Sequence, residues 1–315
     1  MSMAFSTQVR REAARVPVEK KCCARAELAA AVLCSGGLSF KGMGRYGLAI
    51  YADSSQTAQR YIQLLRRFYH CQAALGAVET TRLGGRVRYG VLPPEGDIPG
   101  LLKALRLLDP AQPFGLRSTP ARDVVQEPCC RQAFLRGAYL TGGSTGNPQR
   151  AYHMELAVSE PQLAQFLCQL LEELGVPAKV ATRKTQQVVY IKDGDHMAQM
   201  LTLLGAHRAL LEFENLRIYK DIRNEANRQA NCDSANVDKV VAAAQRQISM
   251  IQVIERKMGL DQLPPSLEEI ARLRLAYPDA SLSDLGGMVT PALGKSGVSA
   301  RMRRLEEIAQ SLVSQ

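Results

Sequence analysis

Residues 129–144 read CCRQAFLRGAYLTGGS and repeat residues 22–37, which read CCARAELAAAVLCSGG. The two segments lie 107 positions apart and share seven identities in sixteen positions. The identities include both cysteine pairs and the glycine at which each Ala- and Leu-rich segment ends. Self-similarity at a fixed spacing indicates a duplicated structural unit. We therefore predict two copies of one fold, each opening with a helix that ends at glycine.

The stretches after the two repeated segments also correspond in their pattern of strands and helices. In the first copy we predict strands at residues 46–52, 73–80 and 86–92, and helices at residues 56–69 and 101–108. In the second copy we predict strands at residues 151–158, 178–183 and 188–192, and helices at residues 161–174 and 196–204. The predicted unit is helix, two strands, helix, two strands, helix, present twice.

Composition restricts the class of protein. The chain has 315 residues, of which 46% are hydrophobic and 22% are charged, which excludes a collagen, a disordered tail and a disulfide miniprotein. No apolar run reaches the roughly 18–20 residues that span a bilayer, and residues 1–11 lack the apolar stretch of a signal peptide. We expect a cytoplasmic protein without a membrane partner. The net charge of +10, concentrated in residues 1–124, fits a polyanionic partner.

Eight cysteines occur in the chain, but their spacing contains no CxxC pair and no zinc-finger pattern of Cys and His. In a cytoplasmic chain we expect them to be reduced, buried, small hydrophobic residues. A metal or redox role is the alternative interpretation. Residues 42–47 spell GxGxxG, but a strand-like run follows them instead of the helix that a dinucleotide site requires. They favour a flexible hairpin loop, and we predict no cofactor and no metal.

The last hundred residues have no strand pattern and are predicted to be helical. Capping boxes at Ser266-x-x-Glu269 and Ser281-x-x-Asp284 predict helices at residues 267–276 and about 281–288. After a turn, a final helix is predicted at residues 298–312. This order is typical of a helix-turn-helix, in which the second helix enters the major groove by its N-terminal end.

Basic and hydroxyl side chains cluster at the start of that final helix, where charge and the helix N-terminus both favour phosphate. The candidate DNA-binding residues are Ser281, Lys295, Ser296, Ser299, Arg301, Arg303 and Arg304. We expect Arg301 and Arg304 to share one helix face, with Arg303 to the side. A short basic helix on a solvated surface is the alternative interpretation.

A long helix is predicted at residues 237–258, with an apolar stripe from Val240 to Ile254 and a stop at Gly259. The amide-rich stretch before it, residues 224–232, has two interpretations. It is either a loop or helix start held by side-chain hydrogen bonds, or a segment whose Asn227 and Arg228 contact DNA.

The duplicated helix ending in glycine, followed by a four-stranded sheet, resembles the LAGLIDADG homing-endonuclease fold. The motif is matched moderately by LRGAYLTGG at residues 135–143 and weakly by LAAAVLCSG at residues 28–36. The resemblance implies two motif helices packed through small residues and two sheets that form a saddle over DNA.

The eighth motif position departs from that family. In the endonucleases an acid there binds the divalent metal that cleavage needs, whereas this chain has Ser35 and Gly142. Glu27 and Asp53 are nearby acids, but neither is at the motif's tip. We predict a scaffold without nuclease activity. Auxiliary DNA contacts are predicted for Arg82, Arg86 and Arg88, for which a solvated edge strand is the equal alternative.

The combination of this duplication with a helix-turn-helix resembles the WhiA family of bacterial DNA-binding regulators, which are linked to sporulation and cell division. The stretches that carry the resemblance include CCRQAFLRGAYLTGGS, LGAHRALLEFENLRIYKDIRNEANRQANCDSANVDK, LPPSLEEIARLRLAYPDASLSDLG and KSGVSARMRRLEEIA. The resemblance covers nearly the whole chain. It implies a C-terminal domain similar to sigma factor region 4, and in actinobacteria a partner of the iron–sulfur WhiB type.

These observations predict an α+β fold, a duplicated αββαββα saddle followed by an all-α helix-turn-helix domain. The predicted domains are residues 1–124, 125–215 and 216–315. We expect a non-enzymatic, sequence-specific regulator of cell division, chromosome segregation or sporulation, bound to double-stranded DNA at the nucleoid. A regulatory protein partner is a further candidate, and no small-molecule substrate is expected. The alternatives are an active homing endonuclease and a saddle that docks a protein.

Overall fold

The computed structural model describes residues 4–40, 46–80, 86–109 and 115–313. The chain forms two compact units, Met1–Lys220 and Asp221–Gln315. Residues 42–45 of the glycine-rich loop predicted at residues 42–47, and the position of Arg82, lie outside the described residues, whereas residues 46 and 47 begin a strand.

The first copy of the repeat has the predicted order of elements. Its described helices and strands are α1 (Phe5–Ala13), α2 (Lys21–Ser35), β1 (Gly36–Phe40), β2 (Tyr46–Ala52), α3 (Ser55–Tyr69), β3 (Ala74–Thr80), β4 (Arg86–Leu92) and α4 (Ile98–Ala104). Within the described residues the strands form an antiparallel sheet in the order β1-β2-β4-β3. The closing helix lies three residues earlier than predicted, because Pro99 occupies its first turn, where a missing N–H costs nothing.

The second copy has the same topology. Its elements are α5 (Pro128–Gly142), β5 (Gly143–Thr145), β6 (Met154–Val158), α6 (Pro161–Glu173), β7 (Lys179–Arg183), β8 (Gln186–Ile191) and α7 (Gly194–Leu204). The described strands pair in the order β5-β6-β8-β7, which is the order of the first sheet. The predicted duplication is therefore confirmed.

Helices α2 and α5 pack against each other along the core of the first unit. A Cβ on Gly137 would collide with the carbonyl oxygen of Glu27 and lie 2.9 Å from the Cβ of Ala30. Ala30 is the counterpart of Gly137 in the repeat, so the two helices approach at equivalent positions. Burial raises the pKa of Cys34 to about 12, although its counterpart Thr141 acts to lower it. Small side chains are needed at this crossing because the two backbones nearly touch.

The second unit is helical in its described residues. It contains the part of α8 (His207–Lys257) beyond Lys220, and α9 (Pro265–Ala276), α10 (Leu282–Met288) and α11 (Lys295–Val313). Its core gathers apolar residues from all four helices, including Ile254, Ile270, Leu285 and Val298. Helix α8 ends before Gly259, whose φ of 87° is accessible to glycine at little cost.

The interpretation of residues 224–232 as a loop or helix start is wrong, and so is the predicted helix start at residue 237, because α8 runs without interruption from His207 through this stretch. Residues 207–257 contain no glycine and no proline, so nothing interrupts the helical hydrogen bonds. The amide side chains are tolerated there because residues 221–232 are exposed. Val240, predicted to open the apolar stripe, is also exposed, whereas Ile251 and Ile254 are buried.

The capping box predicted at Ser266 is also wrong. Helix α9 begins at Pro265, which places Ser266 inside its first turn, where the hydroxyl cannot cap the helix. Proline suits that first position because its fixed φ is already helical. Glu269 instead accepts a hydrogen bond from the backbone N–H of Thr290. The final helix starts at Lys295, three residues before its predicted beginning.

Candidate nucleic-acid interface

The tips of the two motif helices offer no carboxylate. Ser35 ends α2, and its hydroxyl lies 3.0 Å from the carbonyl oxygen of Ala31 and 2.9 Å from that of Tyr51. Gly142 ends α5, and a Cβ at this position would collide with the carbonyl oxygen of Ala157. The first tip therefore holds a hydroxyl engaged with backbone, and the second has no room for any side chain.

The positively charged side chain of Arg10 lies beside the tip of α5. Arg10 of α1 donates one hydrogen bond to the carbonyl oxygen of Gly143 and another, of 3.1 Å, to the carboxylate of Asp53. Arg88 donates to the other oxygen of the same carboxylate at 3.2 Å. Asp53 is thus neutralised by two arginines. A guanidinium next to the helix tip opposes the binding of a divalent cation at this place.

The other nearby acid, Glu27, is a structural residue. It is fully buried in α2 and accepts hydrogen bonds from Nε and Nη2 of Arg60. Arg136 of α5 lies 3.6 Å from the same carboxylate. Burial opposes the charge on Arg60, but the hydrogen bond and charge of Glu27 outweigh it and raise the pKa of Arg60. Glu27 is therefore held in an ion-pair network that joins the two repeats.

The predicted auxiliary contacts of the first sheet are only partly described. Arg86 begins β4, but its side chain lies outside the described residues. Arg88 packs over the ring of Tyr51, 5.4 Å from its centroid, and is paired with Asp53. Its charge is therefore partly compensated within the protein.

The helix-turn-helix is built on a close approach of backbone to backbone. The N–H of Leu293, in the turn after α10, donates to the carbonyl oxygen of Gly286 at 2.8 Å. A Cβ on Gly286 would collide with the carbonyl oxygen of Leu293. Leu285 and Val298 bury the facing sides of α10 and α11. The buried Arg274 donates to the carbonyl oxygens of Pro278 and Ala280, which fixes the link between α9 and α10.

Ser281 is occupied by the capping box that the sequence predicts at α10. Its hydroxyl accepts a hydrogen bond from the N–H of Asp284, and the Asp284 carboxylate accepts one from the N–H of Ser281. The Ser281 side chain and then the Ser281 backbone N–H, through their hydrogen bonds to the carboxylate, hold the pKa of Asp284 below its usual value. Ser281 is therefore engaged with Asp284 at the start of α10.

The start of α11 presents the predicted basic cluster to solvent. Lys295, Ser296, Arg303 and Arg304 are exposed, and Ser299 is half-buried. Arg304 forms an ion pair of 2.6 Å with Glu307, one turn further along the same helix. Among the described residues, no ion pair engages Lys295 or Arg303.

Arg301 does not share the exposure of Arg304. Its guanidinium donates to the carbonyl oxygen of Ser266 at 3.1 Å and lies 3.9 Å from the carboxylate of Glu269. Arg301 therefore links α11 to the start of α9. Asn227 and Arg228 are both exposed on the surface of α8.

Four cysteines lie together at the other end of the motif helices, where α2 and α5 begin. The sequence did not predict that these cysteines meet. The thiol sulfurs of Cys22, Cys23, Cys129 and Cys130 all lie within 4.8 Å of one another. Cys130 is buried and the other three are half-buried, so the expectation of buried cysteines holds for only one of them. The signal that predicts this cluster is the repeat itself, because it superposes the two cysteine pairs.

The four thiols interact with one another. Burial, followed by the hydrogen bond and charge of Cys129, raises the pKa of Cys23 to about 12. Burial also leads the causes that raise the pKa of Cys130. Burial opposes ionisation of Cys22 too, but hydrogen bonds with Cys130 and Cys23 outweigh it and lower its pKa.

The comparison with known families covers most of the chain. The WhiA N-terminal LAGLIDADG-like domain matches residues 21–108, the WhiA LAGLIDADG-like domain matches residues 131–223, and the WhiA C-terminal HTH domain matches residues 226–309. The chain belongs to the WhiA family. The predicted fold class, a duplicated LAGLIDADG-like α+β region followed by a helical helix-turn-helix domain, is confirmed.

Two relatives are each named probable cell division protein WhiA. The relative from Heliobacterium modesticaldum is 38% identical over 314 residues, which cover 99% of this chain and 98% of the relative. The relative from Desulforamulus reducens is 40% identical over 313 residues, which cover 99% of this chain and 97% of the relative. The predicted link to the WhiA family is thereby confirmed.

A solved structure, full-length WhiA from Thermatoga maritima, is similar in fold to this chain. The match has a TM-score of 0.60 at 22% identity and covers 98% of this chain and 99% of that chain. In the described part of the chain, no helix is both long and apolar enough to cross a bilayer.

Proposed function

We propose that this chain is a sequence-specific regulator that binds double-stranded DNA and acts in cell division, chromosome segregation or sporulation at the nucleoid. Helix α11 enters the major groove, and the saddle of residues 1–215 adds contacts to DNA or to a regulatory protein without cutting DNA. The WhiA C-terminal HTH domain at residues 226–309 supports the DNA-binding part of this proposal. The name of the relatives supports the cell-division part.

The observation that carries the proposal is the exposed basic surface at the start of α11. The side chains of Lys295 and Arg303 extend from this helix into solvent, and no acidic partner among the described residues compensates them. The first-turn N–H groups of α11 add a further site for a phosphate oxygen. This surface matches the negative charge of the duplex, while the apolar face of α11 is buried in the domain.

The candidate contacts divide by their geometry. Lys295, Ser296 and Ser299 stand in the first turns of α11, within reach of phosphates and base edges. Arg303 and Arg304 lie farther along the helix, as extended donors for phosphate or guanine. Ser281 contributes at the start of α10. For Arg301, whose guanidinium is bonded to Ser266, we propose a mainly supporting role.

Arg303→Ala is the first test of this assignment. If Arg303 reads a base edge, the variant loses about 1–3 kcal/mol of discrimination, or about 5- to 150-fold in affinity for the specific site. If it contacts a phosphate, the slope of log affinity against log salt becomes less negative by about 0.9. Binding is measured by titrating the full chain against a DNA fragment enriched from a genomic pool, at two salt concentrations.

The matched control for this surface is a comparison of Arg304→Ala with Arg272→Ala. Both arginines are exposed and paired with a glutamate on their own helix, Glu307 for Arg304 and Glu268 for Arg272. Only Arg304 lies on α11, so only its removal should weaken binding. Equal affinities for wild type, Arg303→Ala and Arg304→Ala would refute the assignment of α11 as the reading helix.

The endonuclease alternative is not favoured by the helix tips. Replacing both motif positions, Ser35→Asp with Gly142→Asp, should not create Mg²⁺-dependent cleavage. The second aspartate has no space beside the carbonyl oxygen of Ala157, and Arg10 would pair with any carboxylate placed there. The measurement is a plasmid-nicking assay with Mg²⁺, run on wild type, the double variant and Ser35→Asp alone. Specific cuts by the wild-type chain would restore the endonuclease hypothesis.

A further inference from the structure

We propose that Cys22, Cys23, Cys129 and Cys130 form a tetrathiolate site for a single zinc ion. The site lies within the first unit and is independent of the proposed reading of DNA by α11. The zinc ion would join the two copies of the repeat at the starts of α2 and α5.

The positions of the sulfur atoms fit one tetrahedral ion. Zinc binds thiolates at about 2.3 Å, so the sulfurs of a regular tetrahedral site lie about 3.8 Å from one another. The four sulfurs here all lie within 4.8 Å of one another. Side-chain rotations that move each sulfur by less than an ångström or so would close the site. A cluster of several irons needs a wider separation of its thiolates, so the spacing favours one ion.

The duplication also supplies the symmetry of the site. Cys22 and Cys23 have Cys129 and Cys130 as their counterparts in the repeat. A tetrahedron has a twofold axis that exchanges two pairs of corners, and two vicinal pairs related by the pseudo-twofold axis of the repeat meet this requirement. The two cysteine pairs can therefore occupy the four ligand positions of one tetrahedral ion.

The electrostatic surroundings suit thiolates. Each pair lies in the first turn of its helix, after Lys21 in α2 and after Pro128 in α5. The positive dipole ends of two helices stabilise negative sulfur there. Lys20 and Lys21 are exposed beside the cluster and add positive charge against the net charge of −2 of a zinc tetrathiolate.

The site is separate from the tips at which the endonuclease family holds its metal. Thirteen residues of α2 separate Cys22 from Ser35, which corresponds to about 20 Å along the helix axis. The ion is thus expected to act as a structural link between α2 and α5. It gives the duplicated fold a further connection between its halves, in addition to the contact of Gly137 with the backbone of α2 and to the ion pairs of Glu27.

The test is a titration of the full chain with Co²⁺, which reports thiolate ligation and tetrahedral geometry through its absorption. The protein is first stripped of metal with a chelator under reducing conditions. We expect one Co²⁺ per chain, with thiolate charge-transfer and tetrahedral ligand-field bands that zinc abolishes. We also expect one zinc per chain by elemental analysis of protein purified without a metal-affinity tag.

Variants locate the bound ion. Cys23→Ser and Cys130→Ser, one from each helix, should each lose the tetrathiolate spectrum and weaken binding at least tenfold. Cys232→Ser, an exposed cysteine on α8, is the control and should bind Co²⁺ as the wild type does. In case a variant fails to fold, alkylation of the wild type provides a second measurement, in which zinc should protect four thiols and the stripped protein should lose that protection.

Two results would overturn the proposal. One is folded, fully reduced protein that binds neither Co²⁺ nor zinc and whose cluster thiols react equally with and without metal. The other is a disulfide between the two helices that forms in the metal-free chain and also in the presence of excess zinc, which would make the cluster a redox pair.

Discussion

Glu27→Gln is expected to lower the free energy of unfolding of the first unit by about 3–5 kcal/mol. The substitution keeps the size of the side chain but removes the only charge that compensates Arg60 and Arg136 among the contacts described for them. Both guanidinium side chains are less than a tenth exposed, so water cannot replace the lost carboxylate. The effect is large because two buried cations are left without a counter-charge.

Hydrogen exchange measured by mass spectrometry on the full chain provides the test. Amides of α2 and α5 that exchange through unfolding should exchange about 150- to 5000-fold faster in the variant. Those of α9 and α11, in the other unit, serve as an internal reference and should be unchanged. Asp53→Asn is the control, because this half-exposed carboxylate should contribute no more than about 1 kcal/mol. A Glu27→Gln chain with wild-type protection in α2 would show that the network adds no stability.

Gly286→Ala is expected to destabilise the helix-turn-helix by about 1–3 kcal/mol. The new methyl group would overlap the carbonyl oxygen of Leu293, so α10 and the following turn must move apart. That movement breaks the hydrogen bond between Leu293 and Gly286 and shifts the start of α11. Affinity for DNA should therefore fall together with stability, although Gly286 itself is buried.

Gly287→Ala is the control, because it lies next to Gly286 in α10 and its Cβ would meet nothing within 4 Å. There the higher helix propensity of alanine should increase stability by as much as about 1 kcal/mol. Thermal unfolding by circular dichroism and a DNA titration of both variants test the pair. If Gly286→Ala and Gly287→Ala change stability and DNA affinity equally, the close approach of Gly286 to Leu293 does not position α11.

The sequence alone predicted the features that local pattern and repetition encode. Seven identities between residues 22–37 and 129–144 predicted the duplication, and the alternation of apolar residues predicted the order of strands and helices. The capping box at Ser281 was correct because both of its partners lie within four residues. The sequence also showed that Ser35 and Gly142 replace the acids of the endonuclease motif, because that comparison needs only the residue type at each motif position.

Errors arose where one local signal competed with another. Asn-rich composition suggested a break before residue 232, but an exposed helix without glycine or proline continued through it. Helix α9 begins at Pro265, two residues too early for Ser266 to act as its cap. In both cases the helical hydrogen bonds of the backbone outweighed the weaker preference of the side chains for a loop or a cap position.

Only the tertiary structure decided which distant residues meet. The sequence showed two cysteine pairs but not that α2 and α5 begin side by side, which brings four sulfurs within 4.8 Å. It also did not show that Arg10 reaches Gly143, that Glu27 lies between Arg60 and Arg136, or that Arg301 turns toward Ser266. Such contacts depend on the crossing of helices far apart in the chain. That crossing is set by close packing of small residues over the whole interface, which no local pattern records.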